Sequence, residues 1–350
     1  MGATILTRPD QTRPDQTRPD QTTYVRNSSL ELLRIIAMLM IITYHFALHG
    51  GFNFSASPLT PNKLWYQFMM MGGSLGNDIF VMLSGYFLIK SSGLKFRRLF
   101  DLWLRMLFYW VALFCLSHFC LENSSVTAVR GVLATKVQWW FAYTYCMLYL
   151  IHPYINVLLC KVVRDDWKKL IVMLAVLWLI SRIIPEEYSK FTRLVTFIFS
   201  YSIAGYFRLN SPDFGSVKYI FYGAALIGIK YISVIMPNIF CLRLPLGGMM
   251  DPLIIFAVLC FIAGFRKLKI TYNKVINILA YATFGVYLIH DSKFVRPFLW
   301  HSVFRNAAFQ DSPYLIPYSI AVVLIVYISC TMIELTRSRI FKTLSQGRLS

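Results

Sequence analysis

What most constrains this chain is a succession of apolar runs, each close to the ~20 residues that a helix needs to cross a ~30 Å hydrocarbon layer. Spans are predicted near 30–48, 67–89, 99–120, 138–160, 168–184, 193–209, 218–236, 251–265, 275–291 and 313–334, about ten in all. A soluble domain interleaves polar residues to keep one face in water, and it does not sustain runs of this length. Composition agrees, with 57% of the 350 residues apolar and only 15% charged. Disorder and an ordinary soluble domain are excluded on that basis. The expected fold is all-α, a polytopic membrane domain over residues 30–336 with about ten transmembrane helices.

A formal net charge of +19 would suggest nucleic acid in a soluble protein. Here 22 of the 35 Lys and Arg fall in alternate inter-span segments and the two tails, the pattern that positive residues adopt on the cytoplasmic side. An even number of spans with both termini cytoplasmic follows, and nucleic acid is not an expected partner. Arg34, Arg105 and Lys230 remain inside spans.

Residues 1–29 form a polar tail in which TRPDQ occurs three times over 7–21. Proline and charge in every unit leave no apolar face to bury, so the tail reads as disordered and cytoplasmic. No cleavable signal peptide is expected, and the first span serves as its own insertion signal. The repeat also points to the gene. The five-base unit ACCAG, read through successive frames as ACC AGA CCA GAC CAG, encodes Thr-Arg-Pro-Asp-Gln. Gain or loss of one unit shifts the reading frame, so phase-variable expression is expected. Residues 337–350 are read as a basic cytoplasmic tail. The seven cysteines show no metal-binding spacing and mostly lie in spans; Cys120 and Cys241 could pair if both face outward.

The first span, SLELLRIIAMLMIITYHF, carries Glu31, Arg34 and His45. Arg and His at membrane depth are costly and need a reason. Eleven residues separate the two, close to three turns, so they share a helix face about 16 Å apart along the axis. Two readings are open: an interfacial Arg34 paired with Glu31 plus a satisfied inter-helix histidine, or one functional face. His45 and His49 have the spacing of a helical metal pair but lack an HExxH context, and no metal is expected.

The Arg-x10-His arrangement of Arg34 and His45, the string GNDIFVMLSGYFLIK at 76–90, WWF at 139–141 leading into YLIHPYIN, and YATFGVYLIH at 281–290 together resemble the integral-membrane acyltransferase-3 family. The resemblance runs from about Ser28 to Glu334. It implies about ten spans in a bacterial inner membrane. It also implies transfer of an acyl group, usually acetyl from cytoplasmic acetyl-CoA, to a hydroxyl of a surface polysaccharide, lipopolysaccharide included, or of a lipid-linked glycan. Acetyl-CoA is then a co-substrate, and no permanently bound cofactor is expected.

On that basis His45 is the candidate catalytic base, since a buried neutral imidazole can accept a proton near pH 7; a transient acyl-imidazole is the other option. Arg34 would hold CoA or stabilise developing charge. Asp78 matches an acidic position of the family string, and pairing with Arg34 is a plausible structural role. Arg97, Arg98 and Arg105, with Lys95, are candidates to grip the CoA phosphates, while the same charges could simply enforce topology. The family often carries Arg-x-x-Arg here, whereas this chain has Arg98-x6-Arg105. Ser84 and Gly85 read as small residues for close helix packing. His290 and Trp140 are candidate acceptor-binding residues, with an aromatic-belt role the competing reading for both. The rival functions are a transporter or flippase of glycan intermediates, in which the intramembrane Asp, Arg and His would relay protons, and an inactive partner in a glycan-assembly complex.

Overall fold

A computed structural model describes residues 27–54, 58–91, 93–120, 138–161, 164–181, 189–210, 215–240 and 251–346. The TRPDQ repeat and Cys241 lie outside the described residues. Among the described residues the architecture is all-α: α1 Ser28–Leu48, α2 Pro61–Met70, α3 Gly72–Leu88, α4 Phe96–Cys120, α5 Trp140–Lys161, α6 Arg164–Ser181, α7 Ser189–Asn210, α8 Lys218–Ile239, α9 Pro252–Phe265, α10 Lys274–His290 and α11 Leu315–Gln346. Four of these helices, α1, α4, α8 and α11, contain stretches long and apolar enough to cross a membrane, and α9 and α10 are shorter apolar helices. The fold is that of an all-α membrane protein.

Local chemistry fixes the helix ends. The Asn27 side chain accepts from the Ser29 and Leu30 amides at 3.0 and 3.3 Å, and Glu31 adds negative charge to the first turn of α1. Thr60 caps α2 ahead of Pro61, and Asn273 caps α10. The expected span at 67–89 is two helices rather than one. Met71 keeps helical dihedrals between them, so the chain is kinked rather than looped. The kink coincides with Gly72, where a side chain would strike the Met40 carbonyl of α1. α11 runs to Gln346, so residues 337–346, read as tail, extend the last helix. Arg337 holds that extension through two bonds to Glu334, at 2.8 and 2.6 Å, and lies over the rings of Phe108, Tyr109 and Phe341.

α1 is the axis of the molecule, packing against α2, α3, α9, α10 and α11. Of its most apolar window 61% is buried, against 11% for α4, which presents its sides outward. α3 runs along α1 on one side and α7 on the other. A Cβ at Gly76 would come 2.7 Å from the Ala37 carbonyl of α1, and one at Gly85 would collide with the Tyr201 carbonyl of α7. These glycines let three helices pack backbone against backbone. Lys230 on α8 is reconciled with its depth by Asp251, 2.6 Å away at the start of α9.

Candidate active site

His45 sits near the Leu48 end of α1, buried, with a partner 245 residues away. Its Nδ1 lies 2.9 Å from Nε2 of His290, the last residue of α10. His290 Nδ1 lies 2.6 Å from the Val286 carbonyl one turn back. A carbonyl can only accept, so His290 Nδ1 carries a proton and, in the neutral ring, Nε2 is an acceptor. His45 Nδ1 must then donate to it. The lone pair of His45 is thereby assigned to Nε2, which lies 3.5 Å from Asp291 Oδ1. Asp291 is held in turn by Arg296, whose Nε is 3.2 Å from the carboxylate and donates to the Asp291 carbonyl at 2.9 Å. His49 Nε2 is 3.8 Å from the same carboxylate. This arrangement leaves one imidazole lone pair beside a fixed negative charge, which favours a base whose protonated form is stabilised in place.

His45, His49 and Asp291 each bring a potential ligand atom within 4.8 Å of the others, a set that could hold a metal ion. The Arg296 guanidinium already balances Asp291 and competes with a divalent cation for that oxygen.

His45 lines a cavity of about 860 Å³ together with Asp78, Trp140, Arg193, Tyr287, Asp291 and Arg296. A second cavity, about 230 Å³, shares Ile41, Asn77, Phe141 and Tyr287 with the first. It shares Arg34, Ser84, Leu102 and Tyr145 with a third, about 340 Å³, at the Ser28 end. Three cavities thus meet end to end along α1, with Arg34 at the lower junction and His45 in the uppermost. The unbroken helix explains the alignment, because eleven residues return to the same face.

The other candidate residues divide. Arg34 bonds Glu31 one turn back on its own helix and lines the lower hollow. The expected pairing of Arg34 with Asp78 is not formed. Glu31 is the nearer partner, and Asp78 instead accepts from Ser200 Oγ of α7 at 3.1 Å. Arg98 and Arg105 line the lowest cavity; exposed Arg97 and Lys95 do not. Arg105 also donates to the Tyr281 hydroxyl at 2.6 Å and stands 3.7 Å from the buried Glu334, so part of its work is structural. His290 is fully buried behind His45 and outside the cavity lining. Full burial does not fit an interfacial anchor, and what His290 touches is His45 rather than the cavity. Trp140 does line the upper cavity, beneath the Arg193 guanidinium.

Sequence reasoning missed Arg193, Arg296 and the role of Asp291. The helical pattern could have pointed to Arg193, since Arg193, Phe197 and Ser200 fall at i, i+4 and i+7 of one helix face. No local signal announces Arg296, which approaches Asp291 across a turn.

Neither a curated protein nor a solved structure matches the chain. A family model described as an acyltransferase domain matches residues 27–342, which takes in every helix that lines the three cavities. The chain belongs to this acyltransferase-3 family and is a membrane acyltransferase.

Proposed function

We propose that the protein moves an acetyl group from cytoplasmic acetyl-CoA to a hydroxyl of a surface polysaccharide or lipid-linked glycan, in a bacterial inner membrane that it crosses about ten times with both termini inside. The observation that carries this is the alignment of cavities: basic residues at one end, an imidazole with an assigned lone pair at the other, and shared, mostly apolar lining between. The Ser28 end is taken as cytoplasmic from the distribution of Lys and Arg.

Arg98 and Arg105 would bind the CoA phosphates at the lower mouth, with Arg34 above them. The pantetheine arm, about a dozen bonds long and roughly 15 Å when extended, would pass between Ile41, Asn77, Phe141 and Tyr287. That reach is comparable to the ~16 Å axial separation of Arg34 and His45. Arg34 is too far from His45 to stabilise an oxyanion there, so its role is to hold the donor.

At the upper cavity His45 Nε2 would take the proton of the acceptor hydroxyl as its oxygen attacks the thioester carbonyl. Asp291 would stabilise the imidazolium, and Asp78, positioned by Ser200, would orient the acceptor. Collapse of the tetrahedral intermediate breaks the C–S bond, and the CoA thiolate takes back the proton from His45. The products are the acetyl ester and free CoA. A transient acyl-imidazole on the same nitrogen is the alternative route, and label retained on the protein from acetyl-CoA without acceptor would identify it. The TRPDQ tail fits phase-variable expression, which the nucleotide sequence tests: mixed synonymous codons in place of repeated ACCAG would end that idea.

The deciding experiment gives purified protein in lipid nanodiscs radiolabelled acetyl-CoA and a lipid-linked or polysaccharide acceptor. Transfer of label to the glycan, lost in His45→Ala, supports the reading, and surface glycans should be 42 daltons heavier with the gene than without it. Solute movement without consumption of acetyl-CoA would instead identify a carrier.

A further inference from the structure

We infer that the acceptor carries an anionic group, a carboxylate or a phosphate, and that Arg193, laid over Trp140, receives it. The inference rests on the acyl-transfer reading only in calling the ligand an acceptor. Arg193 stands in the second turn of α7, and its guanidinium carbon lies 4.5 Å from the centre of the Trp140 ring. Both side chains line the same cavity as His45. Stacking of this kind occupies the flat face of a guanidinium and leaves its N–H edges available, the fork that matches carboxylate or phosphate oxygens in pairs.

The carboxylates that share this cavity are engaged elsewhere. Asp291 is held by Arg296, Asp251 by the Lys230 ammonium at 2.6 Å, and Asp78 accepts from Ser200. Among the described residues none offers Arg193 a carboxylate partner. A half-buried guanidinium that has, among the described residues, the Trp140 ring and no carboxylate beside it is incompletely satisfied, and an anionic ligand completes it.

A second observation points the same way. An adjoining cavity of about 480 Å³ shares His49 and Arg296 with the first and adds Lys293 and His301. No Asp or Glu is among its lining residues. Lys293 therefore adds a positive charge next to the cavity that Arg193 lines, which attracts a negatively charged glycan.

The test measures binding rather than turnover, on the purified full-length protein in nanodiscs by calorimetry and saturation-transfer NMR. Three probes share one hexose frame: glucose, glucuronate and glucose 6-phosphate. The expected result is that glucuronate, glucose 6-phosphate or both bind about tenfold or more tighter than glucose, with the stronger of the two identifying the anion. Arg193→Gln should reduce that preference to about twofold or less, and Arg193→Lys should restore part of it. Trp140→Leu, which removes the platform and keeps the charge, should fall between. Equal binding of the three sugars, binding of none, or a preference that survives Arg193→Gln would overturn the inference. An anion preference in a protein that transfers no acetyl would leave it standing and remove the acyl-transfer reading alone.

Discussion

The two ionisable groups on the inner face of α1 find their partners in opposite ways. Arg34 pairs with Glu31 on its own helix, one turn away, and opens onto a basic hollow. His45 has its essential contacts at the end of α10 and beyond, with His290, Asp291 and, through Asp291, Arg296. A local partner keeps a charge in place whatever the rest of the bundle does. A distant one makes the chemistry conditional on the bundle being assembled. In the proposed reading the lower end would bind donor and the upper end would carry a reaction that proceeds only in the folded enzyme.

Substitutions can break or sharpen this contrast. The largest effect is expected at His45. His45→Ala should lower acetyl transfer by about a thousandfold, the usual scale for a general base, while protein abundance in the membrane is unchanged. Activity retained in that variant would remove His45 from the reaction. Next comes His290, where the two replacements should differ. His290→Leu leaves the His45 Nδ1 proton unpartnered and should cost about a hundredfold in kcat, whereas His290→Gln supplies an acceptor oxygen and should recover a good part of it. Equal losses in both would show that His290 matters only for packing.

Arg34→Ala should raise the KM for acetyl-CoA about tenfold with a much smaller change in kcat, the signature of a group that binds donor without touching the reacting atoms. A fall in kcat with KM intact would transfer Arg34 to the chemical step. The smallest effect concerns the triplet of His45, His49 and Asp291. Micromolar Zn²⁺ should inhibit wild-type turnover severalfold by capping the His45 lone pair, and His49→Ala should relieve that inhibition without loss of basal rate. Zinc stimulation would reverse the assignment and make the triplet a metal centre.

Much of the fold was legible because long apolar runs admit few structures in lipid. The run predicted at 193–209 is the helix Ser189–Asn210, and that at 275–291 is Lys274–His290. The kink at Met71 was not legible, since residues on both sides are apolar and its cause, the approach of Gly72 to Met40, is tertiary. The continuation of α11 was hidden because residues 337–346 are polar, and their helix is held by Glu334 and by rings of α4. At the site the same division holds. Arg34 with Glu31 could be read from an i,i−3 spacing, and the shared face of Arg34 and His45 from helical geometry. That His290 meets His45 instead of lining the cavity could not, because depth in the membrane does not say which way an imidazole points.

A hollow that threads most of a membrane protein raises a problem unrelated to catalysis. The cell maintains a voltage and ion gradients across that membrane, and a water-filled bore would short-circuit them. The side chains that the upper and middle cavities share, Ile41, Phe141 and Tyr287 with Asn77, are mostly apolar. Apolar constrictions expel water and block ions while admitting an organic chain. The same side chains that would guide a slender donor arm would then double as electrical insulation, and Phe141→Ala should make liposomes carrying the protein measurably leaky to protons.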